Sequence, residues 1–179
     1  MKVQIVYSSL SGKTKTLAEA IAKKMEKQYE CTIHNIKDGE PIIDGDIVLF
    51  GYWVDKGGPI KPMKDFMGKI ESKGVGVFCT LGYYADSSHA LQSIETGVNI
   101  LKEKNEIIGT YACNGALSDN IIQMFRARGN VPKQNEIRWE IMSSHPTKAE
   151  CDLGAERFFE RVQLFEKIKE SGLEFKSIL

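Results

Sequence analysis

The sequence has few of the residues that bind metals or cross-link chains. Its four cysteines are widely separated and form no CxxC pair, and its three histidines are not paired at helical spacing. This pattern favours free thiols, mostly buried, in a reducing compartment over disulfides or metal ligands. We therefore expect no metal site. The cysteines are Cys31, Cys79, Cys113 and Cys151.

Net charge and long apolar runs are also lacking. The 24 basic and 24 acidic residues among 179 leave a formal charge of zero, so no strong field attracts nucleic acid or an anionic membrane. Nowhere do about 18 apolar residues run together, and the first residues turn polar too soon for a signal peptide. These absences predict a cytoplasmic protein, with neither nucleic acid nor membrane as a partner, forming one domain over residues 1–179.

What the chain does contain is a regular alternation of buried-strand and helix patterns. Apolar runs rich in β-branched residues predict five strands, and helical periodicity separates them. Right-handed crossovers then give an α/β fold with helices on both faces of a mainly parallel sheet. The predicted strands cover residues 2–8, 29–36, 46–52, 74–82 and 106–115.

Helices are predicted between and after these strands. A proline begins the short helix that follows the third strand, and Thr147 with Glu150 forms a capping box for a long final helix. The polar stretch 129–146 is predicted to be a loop, and residues 114–146 receive no role. The predicted helices cover residues 15–28, 59–70, 87–104, 120–128 and 145–172.

The first loop where a ligand would bind reads VYSSLSGKT, residues 6–14. Ligands of such sheets lie beyond the carboxyl ends of the strands, and a helix start rich in hydroxyl groups suits a phosphate. The Gly-Lys-Thr ending resembles triphosphate-binding loops, but Tyr7 stands where those loops need a glycine. No metal-binding aspartate ends another apolar strand either. We interpret the loop as a nest for one phosphate, with a serine-rich turn as the alternative.

Two further loops place aromatic residues beside glycines. GYWVDKGGP (residues 51–59) follows the third strand, and TLGYYADSSHA (residues 80–90) follows the fourth. Both loops can cover a flat ring and bond its polar edge. The alternatives are a tryptophan at the edge of the core and a helix cap at Ser87 or Ser88.

The stretch SLSGKT, residues 9–14, resembles the phosphate loop of flavodoxins, commonly S/T-x-S/T-G-x-T, at the same place after a first strand. With the strand alternation and the aromatic loops, the chain is similar to the flavodoxin family over nearly its whole length. The resemblance implies a three-layer sandwich, a five-stranded parallel sheet in the order 2-1-3-4-5, and non-covalently bound flavin mononucleotide (FMN). GYWVDKG and YACNG resemble a bacterial branch that includes flavodoxin-like proteins linked to bilirubin reduction.

The resemblance also implies three groups of FMN-binding residues. The first would hold the phosphate without a metal, the second would lie along the ribityl chain and ring edge, and the third would contact the pyrimidine side and stack on the ring. The first group is Ser9, Leu10, Ser11, Gly12, Lys13 and Thr14. The second is Trp53, Val54, Asp55, Lys56, Gly57 and Gly58. The third is Thr80, Leu81, Gly82, Tyr83, Asp86 and Ser87.

No catalytic residue is implied, so an electron carrier between a protein reductase and a protein acceptor, monomeric or weakly dimeric, is the leading expectation. An NAD(P)H-dependent FMN or quinone reductase of the same fold is the alternative, and a binding module without flavin is a third. Two features depart from the family: Lys13 replaces a more usual asparagine, and the neutral charge lacks the acidity typical of electron-carrying flavodoxins.

Overall fold

The structure, a computed structural model, describes residues 1–177; residues 178 and 179, at the end of the predicted domain, lie outside the described part. Five strands form one parallel sheet in the order β2-β1-β3-β4-β5, which confirms the predicted fold class and strand order. The strands are β1 (Lys2–Tyr7), β2 (Glu30–Asn35), β3 (Ile47–Trp53), β4 (Gly74–Leu81) and β5 (Glu106–Asn114).

Helices cover both faces of the sheet. One apolar core lies between the sheet and helices α1 and α6, and a second lies between the sheet and helices α2 and α3. Strands β3 and β4 are buried almost throughout because both cores press on them, so their sequences are continuous apolar runs. The helices are α1 (Lys13–Met25), α2 (Lys61–Met67), α3 (Ser88–Leu101), α4 (Asp119–Ala127), α5 (Lys133–Met142) and α6 (Lys148–Glu170).

The predicted loop at residues 129–146 is wrong, because α5 (Lys133–Met142) occupies its middle. Only Trp139 and Met142 of this helix are buried, so its sequence carries almost no apolar stripe for a periodicity argument to find. A stacked contact between Phe125 of α4 and Trp139, with ring centroids 5.7 Å apart, holds the helix in place. Tertiary contacts thus override weak local preference here.

The four cysteines are free thiols, as predicted. Cys79, Cys113 and Cys151 are buried and Cys31 is half-buried. Burial raises the pKa of Cys79 to about 12 and, with a smaller contribution from Glu26, raises that of Cys31 to about 12. These thiols therefore stay protonated and unreactive at neutral pH.

The predicted capping box of α6 is present. Glu150 N–H donates to Thr147 Oγ1 at 3.3 Å, and Glu150 Oε2 accepts from the Thr147 N–H at 2.6 Å. His145 Nδ1 lies 2.7 Å from the same carboxylate oxygen. Burial acts to raise the pKa of Glu150, but the Thr147 N–H, His145 and the Thr147 hydroxyl outweigh it, and this pKa lies below its usual value.

We expect Glu150→Gln, which keeps a side-chain acceptor but removes its charge, to lower the free energy of unfolding at pH 7 by about 1 kcal/mol, the difference between hydrogen bonds to charged and to neutral groups. Because folding lowers this pKa, the carboxylate's stabilisation is present above the unfolded value of about 4.3 and is lost as pH falls through the folded value. Urea unfolding at pH 7 and below pH about 4 should show the gap between wild type and variant narrowing. Glu160→Gln, exposed on the same helix, is the control; an equal gap at both pH values would contradict the assignment.

Close packing across the sheet centre depends on a glycine of β3. A Cβ atom added to Gly51 would lie 2.2 Å from two ring carbons of Phe78 on the neighbouring strand, in a fully buried position. No side-chain rotation at Gly51 can relieve such an overlap, because a Cβ atom is fixed by the backbone. The ring of Phe78 instead packs edge-on against Phe158 of α6 at a centroid distance of 5.9 Å.

Gly51→Ala should therefore destabilise the protein by about 1–3 kcal/mol, the usual cost of overpacking a core. Gly68→Ala is the matched control, since its added Cβ would meet its nearest atoms at an ordinary 3.6 Å. Denaturant unfolding followed by circular dichroism measures both variants. If the two variants were equally stable, β3 and β4 would be able to adjust to the added methyl group at little cost in free energy, which would contradict the prediction.

Candidate functional site

The loops after β1, β3 and β4 meet at the carboxyl edge of the sheet. The parallel register sets Tyr7 beside Gly51 and Trp53 beside Thr80, so the chain leaves neighbouring strands at nearly the same height. The three loops and the segment after β5 enclose a small cavity of about 60 Å³. Its lining includes predicted residues of every group, namely Leu10, Ser11, Trp53, Val54, Thr80, Leu81 and Gly82.

The first loop has the features of an anion site. Gly12 is the N-cap of α1 and adopts a left-handed conformation with φ of 85°, which glycine tolerates at little cost. Within residues 1–177, the backbone N–H groups of residues 9–14 donate no hydrogen bond. These donors and the positive end of the α1 dipole are available to a negatively charged group.

Some side chains of this loop line the small cavity, and others form hydrogen bonds with the rest of the protein. Thr14 is buried, and its hydroxyl lies 2.8 Å from that of Thr80, which joins the first loop to the end of β4. Lys13 Nζ donates to the carbonyl oxygen of Ser143 at 3.4 Å, just past the end of α5. Leu10 is exposed. The ammonium of Lys13 thus has a protein acceptor of its own.

The loop after β3 contains a tight turn. Asp55 and Gly58 exchange both backbone hydrogen bonds, at 2.9 and 3.1 Å, and Lys56 and Gly57 between them have φ of 49° and 87°. Two positive φ values in the centre are typical of a type I′ turn. Within the described chain, the carbonyls of the two central residues accept no hydrogen bond, so they remain available at the tip.

The loop after β4 is held from β5 and from the segment that follows it. Asn114 Oδ1 accepts from the Ala85 N–H at 2.7 Å. A Cβ atom added to Gly82 would lie 2.3 Å from Leu117, so Leu117 packs directly on this glycine. Ser87 caps α3 by accepting from the Ala90 N–H at 3.2 Å, as the helix-cap alternative predicted.

A larger cavity of about 420 Å³ lies on the other side of this loop. It shares four lining residues with the small cavity, so the two are adjacent along the loops after β3 and β4. The shared residues are Val54, Leu81, Gly82 and Leu117. Helices α4 and α5 form its far wall, with Phe125, Arg128, Arg138 and Trp139. Tyr83 also lines it, beneath Arg138, whose guanidinium carbon lies 4.6 Å from the ring centroid.

The structure does not bring every predicted residue to these cavities. Asp86 is exposed just before α3, and the hydroxyl of Ser87 is already used to cap that helix. Eight other predicted residues belong to the same segments without lining either cavity. They are Ser9, Gly12, Lys13, Thr14, Asp55, Lys56, Gly57 and Gly58.

Sequence reasoning missed the contribution of Asn114 and of the whole α4–α5 wall. The sequences of α4 and α5 each contain an aromatic residue and an arginine, but no pattern in the sequence links these residues to the loops of the site. Ser8 was also left out, although it directly precedes the predicted phosphate group.

Buried side-chain atoms without a hydrogen-bond partner distinguish this carboxyl edge of the sheet from the rest of the described chain. Within residues 1–177, four buried side-chain atoms have no partner, and all four belong to the loops or walls just described. They are Ser8 Oγ, Ser9 Oγ, Trp53 Nε1 and Arg138 Nε. Buried donors without partners are rare in folded proteins and costly, so their concentration indicates a ligand with several acceptor atoms. A planar ring joined by a flexible chain to an anionic group, as in a flavin nucleotide, fits the donors of the first loop and the aromatic side chains of the others.

This sheet order, with an anion-type loop after β1 and aromatic loops after β3 and β4, defines the flavodoxin-like class of α/β proteins. The chain matches the family model described as a flavodoxin domain over residues 4–160. It therefore belongs to the flavodoxin domain family.

Relatives and solved structures agree with this membership. A flavodoxin-like domain-containing protein, BilS, of Clostridioides difficile is 31% identical over 163 residues, covering 84% of this chain and 90% of BilS. BilS of Clostridium symbiosum is 25% identical over 143 residues, covering 71% and 75%. Oxidised flavodoxin 2 of Bacillus cereus has the same fold, with a TM-score of 0.61 at 15% identity, covering 90% of this chain and 99% of that protein.

We expect Lys13→Asn to leave flavin affinity within about threefold of wild type, because the ammonium bonds to Ser143 while the loop's N–H groups remain. Gly12→Ala is the contrasting variant and should weaken binding. An alanine held at the φ of 85° found at residue 12 is strained by about 1 kcal/mol, so the substitution distorts the loop. Quenching of FMN fluorescence measures both affinities. Complete loss of binding in Lys13→Asn would show that the ammonium contacts the phosphate directly.

Proposed function

We propose that this protein binds FMN and carries electrons between protein redox partners in the cytoplasm. The observation that carries the proposal is the set of unpartnered buried donors at the carboxyl edge of the sheet. A flavin phosphate and ring would supply acceptors to three of these donors, those of Ser8, Ser9 and Trp53, and the family membership supports a flavin as the ligand.

Each loop has a distinct role in this proposal. The N–H groups of residues 9–14, with the hydroxyls of Ser9 and Ser11, would hold the phosphate, and Trp53 would donate its indole N–H to an oxygen of the cofactor. The ring would lie along the shared lining of the two cavities, with Tyr83 on one side. The other residues predicted for these three loops would make secondary contacts with the cofactor.

When bound, FMN supplies the redox chemistry, and the chain's residues tune it. The carbonyl oxygens of Lys56 and Gly57 at the turn tip would accept a hydrogen bond from an N–H group of the ring, and the Asp55 carboxylate would disfavour negative charge on the ring. The aromatic side chains Trp53 and Tyr83 would exclude water from it. No side chain is needed as a nucleophile or general base.

An NAD(P)H-dependent FMN or quinone reductase is the second candidate. The 420 Å³ cavity favours it, because this volume lies within the range of about 300–1,000 Å³ typical of small-molecule sites and adjoins the loops proposed to hold the ring. NAD(P)H oxidation by the FMN-loaded protein alone, with a quinone as acceptor, would favour the reductase. Turnover only with an added protein reductase would favour the carrier.

The direct test is the purified protein's absorption spectrum and the identity of any released flavin. Ser9→Ala sharpens it, because Ser9 Oγ is buried without a partner in residues 1–177. If this hydroxyl binds the phosphate, FMN affinity should fall by about tenfold or more, since a hydrogen bond to a charged group contributes about 1.5–3 kcal/mol. The stability of the flavin-free variant should be equal or higher, because an unsatisfied buried group has been removed.

Ser88→Ala, exposed at the first residue of α3, is the matched control and should change neither quantity. A drop in flavin-free stability with unchanged FMN affinity would contradict the role proposed for Ser9. A protein that neither contains nor binds FMN would overturn the proposed function.

A further inference from the structure

The 420 Å³ cavity has a chemical character that a flavin site alone does not require. Its far wall, which we call the α4–α5 wall, consists of Phe125, Arg128, Asn135, Arg138 and Trp139. Among the residues that line the cavity there are two arginines and a histidine but no aspartate or glutamate. In a chain with balanced charge, this local excess of positive charge attracts an anion.

The two arginines of the wall have no carboxylate partner. Within the described chain, neither Arg128 nor Arg138 forms an ion pair, whereas the nearby Arg126 donates to Glu136 at 2.9 Å. The guanidinium of Arg138 is half-buried and rests on the Tyr83 ring, and its Nε is buried without an acceptor. A guanidinium edge in this state is suited to a carboxylate, which accepts two parallel N–H groups.

Apart from Asn135, the rest of the wall is aromatic. Phe125 and Trp139 stack at 5.7 Å with an interplanar angle of 19°, and Trp139 is only 8% exposed. Helix α5 begins at Lys133 beside the cavity, so the positive end of its dipole adds to the arginines. Flat aromatic surfaces next to a cationic edge are suited to a planar conjugated ring that bears an anionic group.

We infer that the α4–α5 wall is a binding site for a second small molecule, a planar conjugated carboxylate, with Arg138 and Arg128 holding its carboxylate. The inference rests on the proposed function in one respect: the flavin ring is assigned to the loops after β3 and β4, which leaves this wall to the second ligand. The two ligands would then lie side by side.

Isothermal titration calorimetry of the FMN-loaded protein with 2-naphthoate tests the site, and naphthalene-2-carboxamide is the neutral match of the same shape. We expect the carboxylate to bind at least about tenfold more tightly than the amide, with the FMN spectrum showing no release of flavin. In Arg138→Gln this preference should fall, through loss of carboxylate affinity alone, with Arg128 accounting for what remains. Arg126→Gln, whose guanidinium lies outside the cavity lining, should keep it.

A structural role for Arg138 on Tyr83 makes a different prediction, because it would lower the affinity for both compounds equally. If Arg138→Gln does not fold, Arg138→Lys and Arg128→Gln decide instead: both should weaken binding of the carboxylate more than that of the amide. Equal affinity of wild type for the two compounds, absence of binding, or displacement of FMN by 2-naphthoate would overturn the inference. Binding of NADPH that depends on Arg138, without binding of 2-naphthoate, would also overturn the choice of a carboxylate.

Failure of this inference is distinguishable from failure of the proposed function. The FMN content of each sample is measured first, by its absorption spectrum. If the protein binds no FMN, the proposed function fails, and the same titrations on the flavin-free protein still decide whether the wall prefers a carboxylate. If FMN binds but the preference is absent, only the second site is lost.

Discussion

The parallel register of the strands is the constraint on which the candidate site depends. Because β1, β3, β4 and β5 run in one direction and end at nearly the same height, every loop that leaves a carboxyl end emerges at one edge. The hydrogen bond between Thr14 and Thr80, at 2.8 Å in a buried position, then fixes the first loop against the end of β4. An antiparallel strand in the centre would have sent one of these loops to the opposite edge.

Buried polar groups elsewhere show that missing partners are a property of this edge. Asn105 directly precedes β5 and so lies at the opposite, amino edge of the sheet. It donates to the carbonyls of Ile70 and Leu101 and accepts from the Lys73 N–H. Gln4 is equally well bonded, accepting from the N–H groups of residues 44 and 45 and donating to the Ile42 carbonyl. Within residues 1–177, the buried side-chain atoms without a partner are confined to this edge and its walls, on Ser8, Ser9, Trp53 and Arg138, and the ligands proposed above would supply their acceptors.

Much of the fold could be predicted because its signals are local or nearly so. The apolar run of β3, the Ser87 cap and the capping box at Thr147 each depend on neighbours a few residues away, and each was confirmed. Helix α5 could not be predicted in this way, since only Trp139 and Met142 are buried and its position comes from contacts with α4 and the loop after β4.

The sequence by itself determined the order of the five strands and of every helix except α5, the position of an anion-type loop after β1, and the burial of most of the cysteines, because apolar periodicity and capping chemistry are written along the chain. Tertiary structure alone decided which of those loops share a cavity, that Lys13 bonds to Ser143, and that two arginines line an aromatic wall without acidic partners. The physical reason is distance along the chain: Lys13 and Ser143 are 130 residues apart, and no local preference encodes such a contact. Only the packing of α4 and α5 against the sheet edge brings these groups together.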